Sequence, residues 1–327
     1  MKVAAIQAAS VFLDRKATTD KALRLMREAA SEGAQLCAFP EAFVSGYPVW
    51  IGLTDGARFN NSLQKEAFSQ YLEGSVRADG PELKAVAEEA KKLGLFTYLG
   101  VLERSSSGST IYCSLAAIHP DKGIVSIHRK LMPTFDERLV WGTGDGHGLK
   151  VHQWGDFKVG GLNCWENWMP LARYTLYAQG ENLHVATWPG AEWLTRDITR
   201  FIALEGRMYV VSAGGVLTEK DIPDWFSLKE AMLSQTERFL EGGTFIVGPD
   251  GKGIAGPIKG EETIVYADID MGRVREERQN FDPAGHYNRP DVFSLTVSRE
   301  RLEAVRFQDD AASSAACAPP GKDPFPE

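Results

Sequence analysis

The sequence predicts an α/β protein in which helices and strands form layers around mixed β-sheet. Strands and helices alternate in the first half of the 327-residue chain, and hairpins interrupt that alternation later. Hydrophobic residues make up 43% of the chain and charged residues 24%, which is typical of a globular protein. Since no linker or fixed repeat divides the chain, we predict one domain over residues 1–308. Residues 309–327 are rich in Ala, Ser and Pro without periodicity, which predicts a mobile tail.

The chain begins with a strand–helix–strand unit. Alternating side chains predict a first strand at residues 2–8, and apolar residues at helical spacing predict a helix at residues 18–33 that ends at a glycine. A short apolar run predicts a second strand at residues 35–39. This strand continues directly into Pro40 and Glu41, so we expect the glutamate to lie at the end of a strand.

The following elements continue this order. A helix is predicted at residues 81–92, because Pro81 suits a first helical turn, and a strand follows at residues 95–102. Residues 111–119 and 124–128 predict a hairpin, because a Pro-Asp-Lys-Gly turn joins them. The later elements are predicted as strands at residues 149–153, 158–163, 182–187, 209–213, 244–248 and 263–267, and as helices at residues 170–179 and 197–207.

Charge and cysteine content exclude several classes of protein. A net charge of −8 without a basic block argues against nucleic-acid binding and against an anionic membrane surface. No apolar run approaches the roughly 20 residues that span a bilayer. Gln7 and Ser10 interrupt the first apolar run, so we predict no signal peptide and a cytoplasmic protein. The four cysteines form no CxxC pair, and the six histidines have no metal-ligand spacing, so we predict no disulfide framework and no metal.

Cys164 is the first candidate for chemistry. It follows an apolar strand and precedes a segment dense in Trp, Glu and Asn, with Pro170 at the start of a helix. A thiol near unpaired N–H groups at a helix N-terminus is expected to favour the thiolate. A buried structural cysteine is the alternative from this segment alone. Of the other cysteines, Cys37 and Cys113 are predicted in the core and Cys317 in the tail.

Three charged residues are also candidates. Glu41, at an apolar strand end, is expected to be partly desolvated, which raises a carboxyl pKa toward that of a useful base. Lys130 ends the predicted hairpin and offers a positive charge to a developing anion. Glu137 follows seven residues later and can reach the same site. The alternatives are a surface glutamate, a solvated lysine, and an ion pair of Glu137 with a neighbouring arginine.

Three segments carry a resemblance to a known family: FPEAFVSGYPVW at residues 39–50, HRKLMPTFDERLVWGTGDG at residues 128–146 and GLNCWENWMPLARY at residues 161–174. They resemble the nitrilase superfamily, whose members carry a Glu–Lys–Cys triad in that chain order. Here the order is Glu41, Lys130 and Cys164, and CWEN followed by PLARY looks like the true nitrilase branch. The resemblance spans about residues 1–300.

The resemblance implies a four-layer αββα sandwich with two sheets between helix layers. It implies a homodimer or larger homo-oligomer, because members of the family pair across helix faces and many assemble further into spirals. Residues 170–179, with Arg173 and Tyr174, resemble the pairing helix. Glu137 matches a second glutamate that is regarded as functional in the family.

The implied reaction is the hydrolysis of an organic nitrile to a carboxylic acid and ammonia, with no metal or organic cofactor. Cys164 would form a covalent thioimidate and then a thioester, with Glu41 as general base. Lys130 would stabilise the developing negative charge, and Glu137 would orient Lys130 or the water.

Aromatic residues near the motifs can line an apolar pocket or belong to the core. Tyr47, Trp165 and Trp188 are predicted to bind the substrate, and Trp50 and Trp168 are further candidates. An amidase or carbamoylase and a cyanide-hydrolysing enzyme are alternatives on the same triad, while a non-catalytic homologue is an alternative from another class.

Overall fold

The computed structural model describes residues 1–236, 238–303 and 305. The predicted tail at residues 309–327 and Cys317 lie outside these residues. None of the helices in the described part of the chain combines the length and the apolar character that crossing a membrane requires.

Strands and helices alternate along the chain. The strands are β1 (Lys2–Gln7), β2 (Leu36–Ala38), β3 (Phe96–Arg104), β4 (Ile111–His119), β5 (Gly123–Arg129), β6 (His152–Trp154), β7 (Phe157–Asn163), β8 (Leu183–Trp188), β9 (Tyr209–Gly214), β10 (Val216–Thr218), β11 (Arg238–Val247), β12 (Gly253–Lys259) and β13 (Thr263–Asp268). The helices are α1 (Arg15–Ser31), α2 (Trp50–Leu53), α3 (Ser62–Glu73), α4 (Pro81–Leu93), α5 (Pro170–Tyr177), α6 (Glu192–Gly206), α7 (Lys229–Leu233) and α8 (Met271–Arg278).

Two mixed sheets form the centre of the molecule. The first has the order β13-β1-β2-β3-β4-β5, in which β1, β2 and β3 run parallel. The second has the order β10-β11-β9-β8-β7-β6, with β7, β8 and β9 parallel and β12 paired to β11. Because parallel strands carry their following loops at the same edge, each sheet presents its carboxyl-end loops together.

The alternation of side chains in β1 explains the layers. Val3 and Ala5 face the second sheet, where they join a core that includes Val185 and Val211. Ala4 and Ile6 face the opposite side and pack with the buried stripes of α1 and α4. On the far side of the second sheet, α5 and α6 bury residues against β7, β8 and β9. The predicted αββα sandwich is therefore confirmed.

The structure differs from several predicted elements. The helix predicted at residues 18–33 begins earlier, because Asp14 caps it by accepting the backbone N–H of Ala17. The strand predicted at residues 149–153 is reduced to β6, since a 3₁₀ turn occupies Gly146–Gly148. The helix predicted at residues 197–207 begins at Glu192, and the strand predicted at 244–248 begins at Arg238.

Other elements are absent from the prediction altogether. Helix α3 buries only two of its residues, Ala67 and Tyr71, so it has no clear apolar period. Its start is fixed by Asn61, whose side chain accepts the backbone N–H groups of Leu63 and Gln64. Strand β12 has no buried residue and helix α8 buries only Val274, and periodicity cannot reveal an element that buries so little of its surface. The short elements α2, α7 and β10 were also not predicted.

Candidate active site

Four charged or nucleophilic residues lie together where strands of both sheets end. Glu41 lies shortly after β2, Lys130 directly after β5, and Cys164 directly after β7. Glu137 belongs to a 3₁₀ turn at Phe135–Leu139. The first sheet therefore contributes the glutamate and the lysine, while the second contributes the cysteine.

The side chain of Glu41 is fully buried and has no contact with bulk water. Its Oε1 lies 2.8 Å from Nζ of Lys130 and accepts a hydrogen bond from the Cys113 thiol at 3.4 Å. Its Oε2 has no hydrogen-bond partner among the described residues. Burial raises the pKa of Glu41 to about 7, although the charge of Lys130 opposes the shift. The carboxyl group is thus able to exchange a proton near neutral pH.

Lys130 is buried between two carboxylates. Its ammonium lies 2.8 Å from Glu41 and 2.7 Å from Oε2 of Glu137, and 5.3 Å from the ring centre of Trp141. Burial alone would lower the pKa of this lysine. The pKa is nevertheless raised well above the usual lysine value, because the neighbouring acidic groups Cys164, Glu41 and Glu137 together outweigh burial. Lys130 therefore stays positively charged.

Glu137 is held by its own turn as well as by Lys130. Its Oε2 accepts the backbone N–H of Thr134 at 2.6 Å, and the Thr134 side chain caps the same turn. Its Oε1 accepts the hydroxyl of Tyr47 at 2.8 Å. With three donors on two oxygens, this carboxylate is fixed in position and holds the lysine ammonium in place.

Cys164 begins a 3₁₀ turn that ends at Trp168, and its φ of 46° lies in the left-handed region. A non-glycine residue in this region costs roughly 1–3 kcal/mol and is found preferentially at functional sites. The expectation of a thiolate is wrong for this structure. Burial raises the pKa of Cys164 well above the usual thiol value, and Glu41 adds to the shift, while Lys130 and the Trp165 N–H only partly oppose it. The single 3₁₀ turn supplies too few aligned dipoles to offset burial of the charged form.

The candidate residues lie close to one another. One oxygen of Glu41, one oxygen of Glu137 and the Cys164 thiol all lie within 4.8 Å of one another. Within the described part of the chain this is also the group whose atoms could surround a metal ion. The Lys130 ammonium already lies at hydrogen-bond distance from both carboxylates, so it takes the role of a cation between them.

Glu166 connects the two sheets beside the site. Its carboxylate accepts the backbone N–H of Leu131 at 2.6 Å and that of Asn163 at 3.0 Å. It also lies 3.0 Å from Nε2 of His128. Burial opposes its charge, but these donors outweigh burial and lower the pKa of Glu166. One carboxylate therefore ties the residue after Lys130 to the residue before Cys164.

Comparison with known proteins identifies the family. A sequence model of the family described as carbon-nitrogen hydrolase matches residues 2–279. The chain belongs to the carbon-nitrogen hydrolase family. Its relatives include an aliphatic nitrilase of Sinorhizobium fredii, 41% identical over 93% of this chain and 97% of that protein. Nitrilase 2 of Arabidopsis thaliana is 38% identical over 92% of this chain and 90% of that protein. A bifunctional nitrilase/nitrile hydratase of Nicotiana tabacum is 37% identical over 96% and 90%, respectively.

Solved structures of carbon-nitrogen hydrolases share the fold. Nit3 of Saccharomyces cerevisiae superposes with a TM-score of 0.69 and 18% identity, covering 88% of this chain and 96% of that chain. A CN-hydrolase superfamily protein from Xanthomonas campestris gives a TM-score of 0.67 at 18% identity, covering 91% and 99%. These likenesses support the αββα architecture of the family.

The predicted substrate-binding residues occupy different environments in this carbon-nitrogen hydrolase. Tyr47 lies at the site through its bond to Glu137. Trp188 is buried, its backbone carbonyl accepts the N–H of Glu41 at 3.3 Å, and its ring N–H donates to Ser212. Trp165 is 45% exposed and stacks on Trp168. Their contact with substrate remains a prediction. Trp50, a further candidate, is fully buried among aromatic rings and belongs to the core.

Sequence reasoning overlooked several residues of the site. Cys113 is predicted in the core, yet its thiol contacts Glu41, and His128, which contacts Glu166, is not among the candidates. Trp141 and the partner role of Glu166 were not anticipated. The CWEN motif contains Glu166, so its position two residues after the cysteine was a signal that could have been followed.

Proposed function

We propose that this carbon-nitrogen hydrolase is a nitrilase, which converts an organic nitrile and two water molecules to a carboxylic acid and ammonia. The observation that carries the proposal is the buried Lys130 ammonium held between Glu41 and Glu137 beside the Cys164 thiol. The similarity to proteins named as nitrilases over more than nine-tenths of the chain supports the choice of a nitrile.

The first step forms the bond between sulfur and carbon. Glu41, ionised, takes the proton of the Cys164 thiol as the sulfur attacks the nitrile carbon. The proton passes to the nitrile nitrogen, and the product is a neutral thioimidate. A pKa of about 7 suits Glu41 to this exchange, because the group both takes and returns a proton near neutral pH.

Lys130 stabilises the charge that develops on nitrogen during this attack. Its ammonium is fixed by two carboxylates and needs no rearrangement when the charge appears. Glu137 and Tyr47 act through this lysine, since Tyr47 donates to Glu137 and Glu137 holds the ammonium.

Water completes the reaction in two further steps. A first water, deprotonated by Glu41, adds to the thioimidate carbon, and ammonia leaves with a returned proton to give a thioester. A second water adds to the thioester carbon, and the acid leaves as the C–S bond breaks and the thiol regains its proton. Tyr47, Trp165 and Trp188 are proposed to contact the substrate.

A second outcome is release of the amide, in which the C–S bond breaks after the first water has added. The similarity to a bifunctional nitrilase/nitrile hydratase favours this as a second product. An amidase or carbamoylase and a cyanide-hydrolysing enzyme would use the same four residues and are the competing substrate assignments.

A panel of substrates tests the proposal. Ammonia and amide are measured with benzonitrile, phenylacetonitrile, an aliphatic dinitrile, cyanide and the matching amides, with Cys164→Ala as control. Ammonia from organic nitriles that disappears in the variant supports a nitrilase. Ammonia from amides alone, or from cyanide alone, replaces that assignment with the corresponding one.

We also propose a homo-oligomer in the cytoplasm. Helices α5 and α6 and the turn before them leave large apolar side chains exposed: Trp168, Leu171, Trp193 and Phe201. Three buried free cysteines suit a reducing compartment. Sedimentation of wild type and Leu171→Glu tests the assembly, and a wild-type monomer would exclude it.

A further inference from the structure

Cys113 lies beneath the site and contacts two of its members. It is on β4, its side chain is 1% exposed, and its thiol donates to Oε1 of Glu41 at 3.4 Å. Its backbone carbonyl accepts the N–H of Lys130 at 2.8 Å. Cys113 therefore contacts both the Glu41 carboxylate and the backbone of Lys130, although the sequence predicts only a role in core packing.

Burial keeps the thiol of Cys113 in its protonated form, in which it can donate a hydrogen bond. Burial raises its pKa well above the usual thiol value, and the neighbouring charge of Glu41 raises it further. An S–H group is a weak donor, but a carboxylate accepts from any donor that faces it. Because Oε1 receives both Cys113 and Lys130 while Oε2 has no described partner, the carboxylate is anchored through one oxygen.

We propose that Cys113 is a positioning residue for the reaction: its thiol holds Oε1 of Glu41 and leaves Oε2 to exchange the proton with Cys164. The proposal rests on the proposed function for the role of Glu41 as base. It does not require Cys113 to touch the substrate.

The proposal predicts a shift in pH dependence. The groups that face Glu41 are Lys130, Glu137, Cys113, Cys164 and the hydroxyls of Tyr47 and Tyr71. Substitution of Cys113 leaves the others in place. A donor to the ionised carboxylate lowers the pKa of Glu41, so losing that donor raises it, and activity begins to fall at a higher pH.

The test compares Cys113→Ala, Cys113→Val and Cys113→Ser in the full-length protein. Without the donor, the acidic limb of the pH profile of kcat/KM is expected to move to higher pH by about half a unit. In the same variants, kcat is expected to fall about tenfold while KM stays nearly unchanged. Valine fills the space that alanine leaves, so it separates loss of the donor from a cavity. Serine restores a donor and is expected to return the limb toward the wild-type position.

Cys37 provides the matched control. Its thiol is equally buried and donates to the Thr97 hydroxyl over the same 3.4 Å, but Cys37 lies in the core between the first sheet and helices α1 and α4. Cys37→Ala is expected to leave the acid limb unchanged. If Cys113→Ala and Cys113→Val reduce kcat while their acid limbs coincide with wild type, Cys113 only packs the core and the proposal is overturned.

A second readout separates this proposal from the proposed function. The rate of Cys164 alkylation by iodoacetamide is measured against pH in the same variants, with Cys317 replaced by serine. A shifted alkylation profile in Cys113→Val without any nitrile hydrolysis by wild type would support the positioning role and reject the nitrilase assignment. An unshifted profile would overturn the positioning role whatever the substrate.

Discussion

Replacing Lys130 with methionine should destabilise the protein strongly at alkaline pH. The substitution keeps an unbranched side chain up to the position of Cε but removes the ammonium that lies at 2.7 and 2.8 Å from two buried carboxylates. Breaking a buried ion pair by removing one partner costs about 3–5 kcal/mol, because an uncompensated charge is left behind. Here two carboxylates lose their partner together.

The expected loss is limited by protonation. A glutamate of usual pKa 4.5 can be neutralised at about pH 8 for about 5 kcal/mol, and at about pH 5.5 for about 1.4 kcal/mol. Without the ammonium, nothing opposes the effect of burial on Glu41, so Glu41 binds its proton more tightly in the folded chain than in the unfolded chain. Its folded pKa then exceeds its unfolded value, so the folded variant loses stability as pH rises. The deficit should grow from about 1–2 kcal/mol at pH 5.5 to about 3–5 kcal/mol at pH 8.

Urea unfolding at the two pH values measures this difference in the free energy of unfolding. The triple variant Lys130→Met, Glu41→Gln, Glu137→Gln carries no charge at these positions and should recover most of the loss. Lys92→Met removes an exposed lysine from an ion pair with Glu89 and should change stability by less than about 0.5 kcal/mol. A deficit in Lys130→Met that is below 1 kcal/mol at about pH 8, or that is equal at both pH values, would refute the reasoning.

Four further predictions concern single residues. Cys164→Ala should abolish ammonia release while leaving the unfolding transition in place, since only one sulfur atom is lost; residual turnover near wild type would contradict the assignment. Lys130→Arg should lose at least about 100-fold in kcat, because a planar guanidinium cannot fit between the same two carboxylates, and steady-state kinetics would detect retained activity. In wild type, kcat/KM should decline as pH falls through about 7, because Glu41 must be ionised to act as a base; a profile that stays flat down to pH 5 would exclude this role. Glu166→Gln should lower the free energy of unfolding by about 2 kcal/mol in urea, because its amide group faces donors that require an acceptor, and an unchanged midpoint would show that the connection between sheets is unimportant.

The sequence indicated which residues lie at the candidate site, but it did not indicate how their side chains contact one another. Glu41, Lys130 and Cys164 each follow an apolar run, and a strand end is visible in the sequence. Which strands lie side by side is not visible, so the contact of Glu166 with Leu131 across two sheets could not be predicted. The predicted sandwich rested on the family resemblance, whereas the residues alone indicated only mixed layers.

The protonation state of Cys164 shows a second limit. The position of the cysteine near a predicted helix N-terminus suggested a stabilised thiolate, but the sign of its pKa shift depends on how deeply the side chain is buried. Burial depends on the packing of distant segments, including the loop that carries Tyr47 and the turn that carries Glu137. Helix α3 illustrates the same limit for secondary structure, because an element with little buried surface leaves no periodic pattern.

The net charge of Glu41, Lys130 and Glu137 also affects which molecules enter and leave the site. With Glu41 ionised, the cluster carries one excess negative charge in surroundings that bulk water does not reach. An uncharged nitrile enters this field without electrostatic opposition, whereas a newly formed carboxylate is repelled by about 3 kcal/mol at roughly 5 Å for an effective dielectric constant near 20. The excess negative charge is therefore expected to favour release of the acid and to disfavour any nitrile that already carries an anion close to its reacting carbon.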